Sequence, residues 1–533
     1  IAGQSDRFNQ LQIDGGSNGD LFGLNSSNGQ PGGKNGSRSV SVEAVQEVQV
    51  LVAPFDVRQG GFTGGLINAV TKSGTNQFHG SAFYSLQNEG LVGKDSLGGK
   101  TTDFSLRYQG FSVGGPIIRD RLHFFVSAEW RAQEAPFGGT VVIGTDTTGG
   151  KDSVNVGIRN GTAQRVRDFT NTTYGFDPGS FGRPTIPNPD MNFFAKLSAQ
   201  LGASSQLELS FNRQKSNQFI TAHNPTGSSL TNIRDGYQFD NTGYDNSSTT
   251  NGMRLRLNTP FASRFTNELI VSYNYFSDVR DMRAPRPIVV VGGDRRATPT
   301  SVPTAFLSMG GEVFSHDNLL NQKILEIANN LTVALGSHVL TLGGRVERFS
   351  FLNRFWPAKL GAWSFVDTTA YFAGTPSRYE IALPGVAIDS IRGRTDGPIA
   401  DFLFSQYGLY GQDQIHATRN LSLTFGVRLD FTGLPSPAYN SRIDSAAVTV
   451  GPNIGQLFGV RTDTKITNAL LISPRFGFNF APNGDRSIVL RGGIGIFSGR
   501  TPYVWASNAY TNTCQEQVRL ICDRELAGGA GGV

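Results

Sequence analysis

The sequence predicts an all-β chain: an antiparallel transmembrane β-barrel preceded by a smaller N-terminal unit. Three observations lead there. Apolar and polar residues alternate with period two in many segments, which sets one strand face in an apolar medium and the other in a polar one. These segments pair across short polar turns. The connections between the pairs are long.

Composition agrees. Of 533 residues, 17% are charged and 66 are Gly, with 38 Phe but only 4 Met, a mixture poor in helix formers and rich in strand and turn material. No window holds the roughly 18 apolar residues of a membrane-spanning helix, but a barrel strand needs only about ten, apolar at alternate positions. The net charge of +5 is spread along the chain with no basic cluster, so no nucleic-acid partner is expected. The chain starts at Ile1 without a signal peptide, which fits a processed or partial chain.

Residues 1–75 are expected to form the N-terminal unit. The first 41 read as flexible loop, dense in Gly, Asn and Ser. Val48, Val50 and Val52 then alternate with Glu47, Gln49 and Leu51 as a strand. Gly60-Gly61-Phe62-Thr63-Gly64-Gly65 permits a reversal, and Leu66–Thr71 is the next short strand. No Gly-Lys-Ser/Thr follows these glycines, so they are read as structural. Lys72-Ser73-Gly74-Thr75-Asn76 is a polar crossover, and Phe78–Tyr84 begins a new alternating strand.

Residues 76–533 repeat one unit: strand, short turn, strand, long loop. Met191, Phe193, Ala195, Leu197, Ala199 and Leu201 share a face opposite Asn192, Lys196, Ser198 and Gln200, with Phe194 misplaced. Turns are read at 114–121, 202–205, 260–264, 336–338, 417–419 and 482–485. Loops are read near 88–103, 134–190, 220–250, 279–315, 353–403, 434–470 and beyond 500. So many long loops argue against a compact soluble domain; unequal turns and loops are the pattern of an outer-membrane barrel, whose short turns are periplasmic. In hydrocarbon every backbone donor and acceptor must pair, so such a sheet closes on itself. About thirteen strands are present; barrels have even numbers, and further strands are expected to complete closure. Tyr84, Trp130, Tyr275, Trp356, Tyr407, Phe431, Phe497 and Tyr503 are read as interfacial girdles.

Arg254, Arg256, Arg345, Arg428, Arg475 and Arg491 fall opposite the apolar face and are expected to face the lumen, since a lipid-facing arginine is costly. They either pair with carboxylates of the N-terminal unit and neighbouring strands or line a path for an anionic solute. Cys514 and Cys522 are read as a local disulfide or as two unrelated thiols. No enzymatic constellation, cofactor site or metal site emerges. The six His are scattered, Gly492–Gly499 precedes no helix, and the acidic stretch 235–251 lacks EF-hand spacing.

Ala44-Val45-Gln46-Glu47-Val48-Gln49-Val50, Gly64-Gly65-Leu66-Ile67-Asn68-Ala69-Val70-Thr71-Lys72-Ser73-Gly74-Thr75-Asn76 and Phe78-His79-Gly80-Ser81 resemble the plug-to-barrel junction of TonB-dependent receptors, most nearly the Oar-like group. Ile13-Asp14-Gly15, Gly114-Gly115-Pro116-Ile117-Ile118, Ser473–Gly477 and Leu490–Phe497 resemble further parts of that family. Phe55-Asp56-Val57-Arg58-Gln59-Gly60 departs from its usual pattern. The resemblance implies a barrel of about 22 strands with a plug in its lumen. Residues 1–75 would be the C-terminal part of that plug, with Gly64, Gly65 and Thr71–Asn76 as the junction. It also implies the outer membrane of a Gram-negative-type bacterium, lipid and a TonB-type energy-coupling protein as partners, and a peptide, glycan or protein as ligand. The expected function is plug-gated uptake of a ligand caught by extracellular loops; the alternative is a non-transporting surface protein that uses those loops for adhesion, assembly or docking.

Overall fold

The computed structural model describes residues 3–24, 30–52, 54–93, 104–136, 160–180, 185–220, 237–292, 307–385, 397–440, 461–466, 469–483, 487–511 and 515–523. Three sheets organise them: an inner one, a wall and an outer cap.

The wall is a 13-stranded antiparallel sheet. In order it runs His79–Asn88, Ser105–Ile118, Leu122–Pro136, Thr185–Leu201, Ser205–Ile220, Tyr244–Phe261, Phe265–Met282, Asn318–Leu335, His338–Phe355, Ile399–His416, Leu421–Gly433, Leu470–Phe480 and Leu490–Gly495. Each strand pairs with its sequence neighbours, and the two ends do not pair with each other, so the barrel is not closed. The period-two reading holds residue by residue. In Asn318–Leu335, Gln322, Ile324 and Glu326 are buried inside, while Lys323, Leu325 and Ile327 are exposed outside. The short turns use positive φ: 63° at Asp120, 63° at Gly202, 62° at Gly336, and 48° at both Ala262 and Ser263. Two successive positive values give the hairpin twist that matches the flanking strands. The turn read at 482–485 lies partly outside the described residues.

The inner sheet has four strands in the order Gly16–Ser17, Gln10–Ile13, Gly65–Thr71, Val45–Val52. Leu66–Ala69 runs parallel to Gln10–Ile13 and antiparallel to Val48–Leu51. The first 41 residues are therefore not a flexible loop throughout. Asn18, Asn35, Ser37, Ser39 and Ser41 are all buried, because the surface they meet is itself polar.

The wall's inner face is not polar everywhere. Phe349, Phe351, Phe402 and Phe404 point inward and pack with Phe22 of the inner unit and with Tyr503 and Ala506 of the helix Tyr503–Thr511. Phe194, the misplaced residue, also points inward and packs with Phe125 and Ala44.

The long loops build the cap, a six-stranded sheet ordered Tyr237–Gln238, Leu307–Met309, Ile288–Val291, Ala362–Phe365, Arg378–Pro384, Gln517–Asp523. The helix Asn160–Tyr174 packs on it through Ala163 and Val166, against Phe239, Met309, Phe365 and Tyr371. Cys522 is exposed on the last cap strand as a free cysteine. Cys514, and with it the disulfide-or-two-thiols reading, lies outside the described residues.

The girdle reading needs correction. Tyr84, Trp130, Tyr407 and Phe431 are exposed on the wall, but Trp356 is buried under the cap with its Nε1 donating to the Ala382 carbonyl at 3.0 Å. Phe497 packs inward on Phe55 and Phe62, and Tyr503 is buried in the inner aromatic cluster. Near a strand end, alternation does not say which medium an aromatic meets.

Candidate functional site: the inner unit against the wall

The strand 65–71 ends at a polar node. The Asp14 carboxylate accepts the Thr71 backbone N–H at 2.8 Å and its hydroxyl at 2.6 Å. From the wall, Lys196 reaches the same carboxylate at 3.5 Å, the Thr71 hydroxyl at 3.2 Å and Glu208 at 3.6 Å. The Lys72 N–H donates to the Ala44 carbonyl at 2.7 Å. The crossover then passes close beneath the wall: a Cβ on Gly74 would lie 2.2 Å from the Phe124 carbonyl oxygen and 2.9 Å from that of Gly115. Asn76 fixes it to the first short turn, donating to Asp120 at 2.5 Å and accepting the Asp120 N–H at 2.8 Å, with His123 Nε2 also 2.8 Å away. Gly64 donates to the Phe8 carbonyl at 3.3 Å, and the Thr75 hydroxyl donates to the Gln77 carbonyl at 2.9 Å. Gly65 opens the strand, and Ser73 makes no contact that bears on the site.

Of the six arginines, four are buried at this interface. Arg254 donates to Asn18 of the inner unit at 2.9 Å and to Asn212 of the wall at 2.9 Å. Arg345 pairs with Glu326 at 2.5 Å, whose other oxygen accepts the Ser17 backbone N–H at 2.9 Å. Arg428 pairs with Asp430 at 2.7 Å and donates to the Val57 carbonyl at 3.2 Å. Arg475 faces the carbonyls of Pro54 at 3.2 Å and of Asp56 and Gln59 at 2.8 Å. The other two differ. Arg256 is half-exposed and pairs with Glu268 on the neighbouring strand at 2.7 Å. Arg491 lies opposite Asn479, in phase with Arg475 on the inner face, but is exposed on the edge strand.

The partners are thus neighbouring wall carboxylates, main-chain carbonyls of the inner unit and, for Arg254, the side-chain amides of Asn18 and Asn212. The carbonyl partners lie in 54–59, overlapping the stretch Phe55–Gly60 that departs from the family pattern. Gly60 and Gly61, which follow, let the guanidinium groups close in: a Cβ on Gly60 would lie 2.5 Å from Arg428 Nε, and one on Gly61 2.8 Å from Arg500 Nε.

Sequence reasoning missed Arg500, which pairs with buried Glu347 at 2.5 Å, and Glu129, which accepts the Ser41 and Tyr108 hydroxyls and the Glu43 N–H. Lys196 was placed on the correct face but not singled out. Glu129 has a usable signal, an acid alternating with Ser127 and Arg131 in a strand; Arg500 lies after its strand and has none. Among the described residues no group of His, Cys, Asp and Glu is arranged to hold a metal.

A profile of the outer membrane beta barrel domain matches residues 70–175 and 178–519. The chain belongs to the outer-membrane β-barrel family, among its TonB-dependent receptors. A stretch of this receptor chain is 34% identical over 138 residues to the TonB-dependent transporter Oar of Myxococcus xanthus, covering 24% of this chain and 12% of that protein. Another is 37% identical over 101 residues to a probable TonB-dependent siderophore receptor, PirA, of Acinetobacter baumannii, covering 19% of this chain and 12% of that protein. The fold is that of the outer-membrane transporter YddB of Escherichia coli, with TM-score 0.60 and 15% identity over 97% of this chain and 57% of the other. The matched regions thus span about half of that solved structure and about an eighth of each relative. The receptor's place is the Gram-negative outer membrane.

Proposed function

We propose that this receptor is a gated transporter: residues 1–75 act as part of a plug, the extracellular cap catches a ligand, and a TonB-type coupling protein in the periplasm remodels the plug to admit it. One observation carries the reading. Among the described residues the inner sheet and the wall share no strand pairing; an isolated bridge, Gly61 to Gly499, joins segments outside those strands, and the remaining hold includes side chains such as Arg428, Arg475, Arg254 and Lys196. Such a unit can move without unzipping the wall, whose own hydrogen bonds must stay intact in lipid.

Above the inner unit the helix 503–511 covers Leu21 and Phe22, whose carbonyls accept the N–H groups of Tyr503 and Val504 at 3.1 Å. The lumen is therefore occupied from both sides, as a closed gate requires. The ligand class stays open among peptides, glycans and proteins.

Deleting residues 1–75 from the full-length protein and measuring solute flux across reconstituted vesicles tests this. A gate predicts that small hydrophilic solutes leak through the deleted form and not the intact one. Equal flux, with the barrel folded, would refute gating and favour a loop-displaying surface protein.

A further inference from the structure

Two wall strands meet the inner helix with a band of phenylalanines. Phe349 stands opposite Phe404 and Phe351 opposite Phe402, and all four are buried. One rung towards the turn at 336–338 the face turns polar, with Glu347 opposite Gln406; on the other side it turns polar again at Asn353, opposite Ala400. Phe22 of the inner unit packs into the same cluster. The helix Tyr503–Thr511 lays one stripe on this band. Tyr503, Ala506, Ser507 and Thr511 are buried and Tyr510 is half-buried, while Trp505 and Asn508 on the other side are exposed, the spacing of an amphipathic helix.

Two tyrosines make the grip. The Tyr503 ring lies 4.8 Å from that of Phe404 and 5.1 Å from that of Phe351. The Tyr510 ring, about two helical turns on, lies 4.7 Å from that of Phe402. Polar contacts flank the band: the Leu21 and Phe22 carbonyls take the first N–H groups, Asn353 Nδ2 donates to the Ser507 hydroxyl at 2.9 Å, and the Tyr510 hydroxyl donates to the Pro435 carbonyl at 2.7 Å. A helix this short does not persist in water by itself, so the segment owes its fold to the surface it covers.

We propose that this band is a peptide-binding site, that its ligand carries two aromatic side chains about two helical turns apart, and that the helix 503–511 occupies the site until such a peptide displaces it. The proposal rests on the gated-transport reading and names its ligand class. The band suits a peptide and not a glycan. A peptide with this spacing is already seated on it, whereas the hydroxyls of a sugar would lie against phenylalanine rings with their hydrogen bonds unmet. Displacement also sets the affinity: a site that is free in only a fraction of the molecules binds more weakly by that fraction, so loosening the helix must tighten binding.

The test is fluorescence anisotropy with the full-length receptor in detergent. The probes are a labelled peptide with the sequence of residues 501–511 and the same peptide with both tyrosines replaced by serine. Receptor Tyr503→Ala, Tyr510→Ala, whose own helix no longer grips the band, is expected to bind the tyrosine peptide about tenfold or more tightly than the serine peptide, the worth of two aromatic pairs. It is also expected to bind the tyrosine peptide more tightly than the wild type does, by about tenfold or more. Adding Phe351→Leu and Phe402→Leu is expected to abolish the preference for tyrosine. Heat-modifiable gel migration confirms that each barrel is folded; if the double tyrosine variant fails to fold, Ala506→Pro, which breaks the helix, is read by the same criterion. Equal binding of the two peptides, no gain over the wild type, a preference intact without the two phenylalanines, or displacement of the peptide by millimolar maltoheptaose overturns the proposal. Binding is read without flux, so the two readings fail separately: a receptor that leaks on deletion of residues 1–75 yet binds neither peptide keeps the gate and loses the peptide site.

Discussion

Arg475 offers the sharpest test of how the inner unit is held. Replacing it with Met keeps much of the side chain's bulk and removes its donors. Its Nη1 faces three carbonyls, of Pro54, Asp56 and Gln59, but one Nη carries only two protons, so two bonds are counted. At about 1.5 kcal/mol for each bond to a charged donor, the loss is about 3 kcal/mol, roughly a 150-fold change in a local opening equilibrium. The reporters are amides tied down nearby: Val57, which donates to Gln412 at 3.1 Å, and Thr63, which donates to the Phe8 carbonyl at 3.1 Å. Hydrogen exchange at Val57 and Thr63 should accelerate by about two orders of magnitude in Arg475→Met, while amides of the wall strand 265–282 keep their protection. Unchanged exchange in 54–63 would show that the clasp contributes nothing and that packing alone holds the unit. A uniform rise across the wall would mean that Arg475 supports the barrel and not the inner unit.

Three further outcomes follow from the same geometry. Gly74→Ala should lower stability by about 1–3 kcal/mol, because the crossover must shift by roughly an ångström to clear the Phe124 carbonyl; an unchanged unfolding midpoint would contradict that close approach. Glu347→Gln leaves Arg500 buried with no carboxylate, so the helix 503–511 should become susceptible to limited proteolysis, at a cost on the order of 3 kcal/mol; equal cleavage rates would argue that the helix is held by its aromatic packing. In the cap, burial pushes the His316 imidazole down to about 4, while its Nδ1 accepts the Leu360 N–H at 3.1 Å and its Nε2 faces the Gly311 carbonyl at 3.1 Å. The neutral form is the folded one, so its contribution is complete above about pH 6.5 and is lost as pH falls towards 4, by about 3 kcal/mol. Cap proteolysis should rise through that window in the wild type and stay flat in His316→Gln.

Alternation exposes a wall strand because each side chain reports its own medium, which is why the strands about Met191–Leu201 and Leu421–Leu429 were legible to the residue. The same logic placed Arg254, Arg345, Arg428 and Arg475 inward. The expected pairing with carboxylates of neighbouring strands fits Arg345 and Arg428, but the sequence could not supply the partners of Arg475, since main-chain carbonyls carry no sequence signature. It misjudged the first 41 residues because Asn, Ser and Gly read as solvent-seeking; Asn35, buried against Ser216 and the Asn246 carbonyl, is solvated by the wall in place of water. The inner phenylalanines were hidden for the converse reason. Phe349 and Phe351 share a strand with exposed Leu352-side neighbours such as Val346 and Arg348, and a strand apolar on both faces does not disclose which face is the lumen.

The cap escaped because its strands are short, from the two residues of Tyr237–Gln238 to the seven of Gln517–Asp523. No strand of that length is recognisable without its neighbours, and those neighbours come from other loops. That interleaving also sets what can be exchanged between related receptors. Ile288–Val291 pairs with Ala362–Phe365 across two different loops, and Arg378–Pro384 with Gln517–Asp523 across two more distant segments. A single loop grafted from another receptor would arrive without its pairing partners and leave unmatched edges in those that remain. The unit of recombination at this surface is the whole set of loops, inherited together.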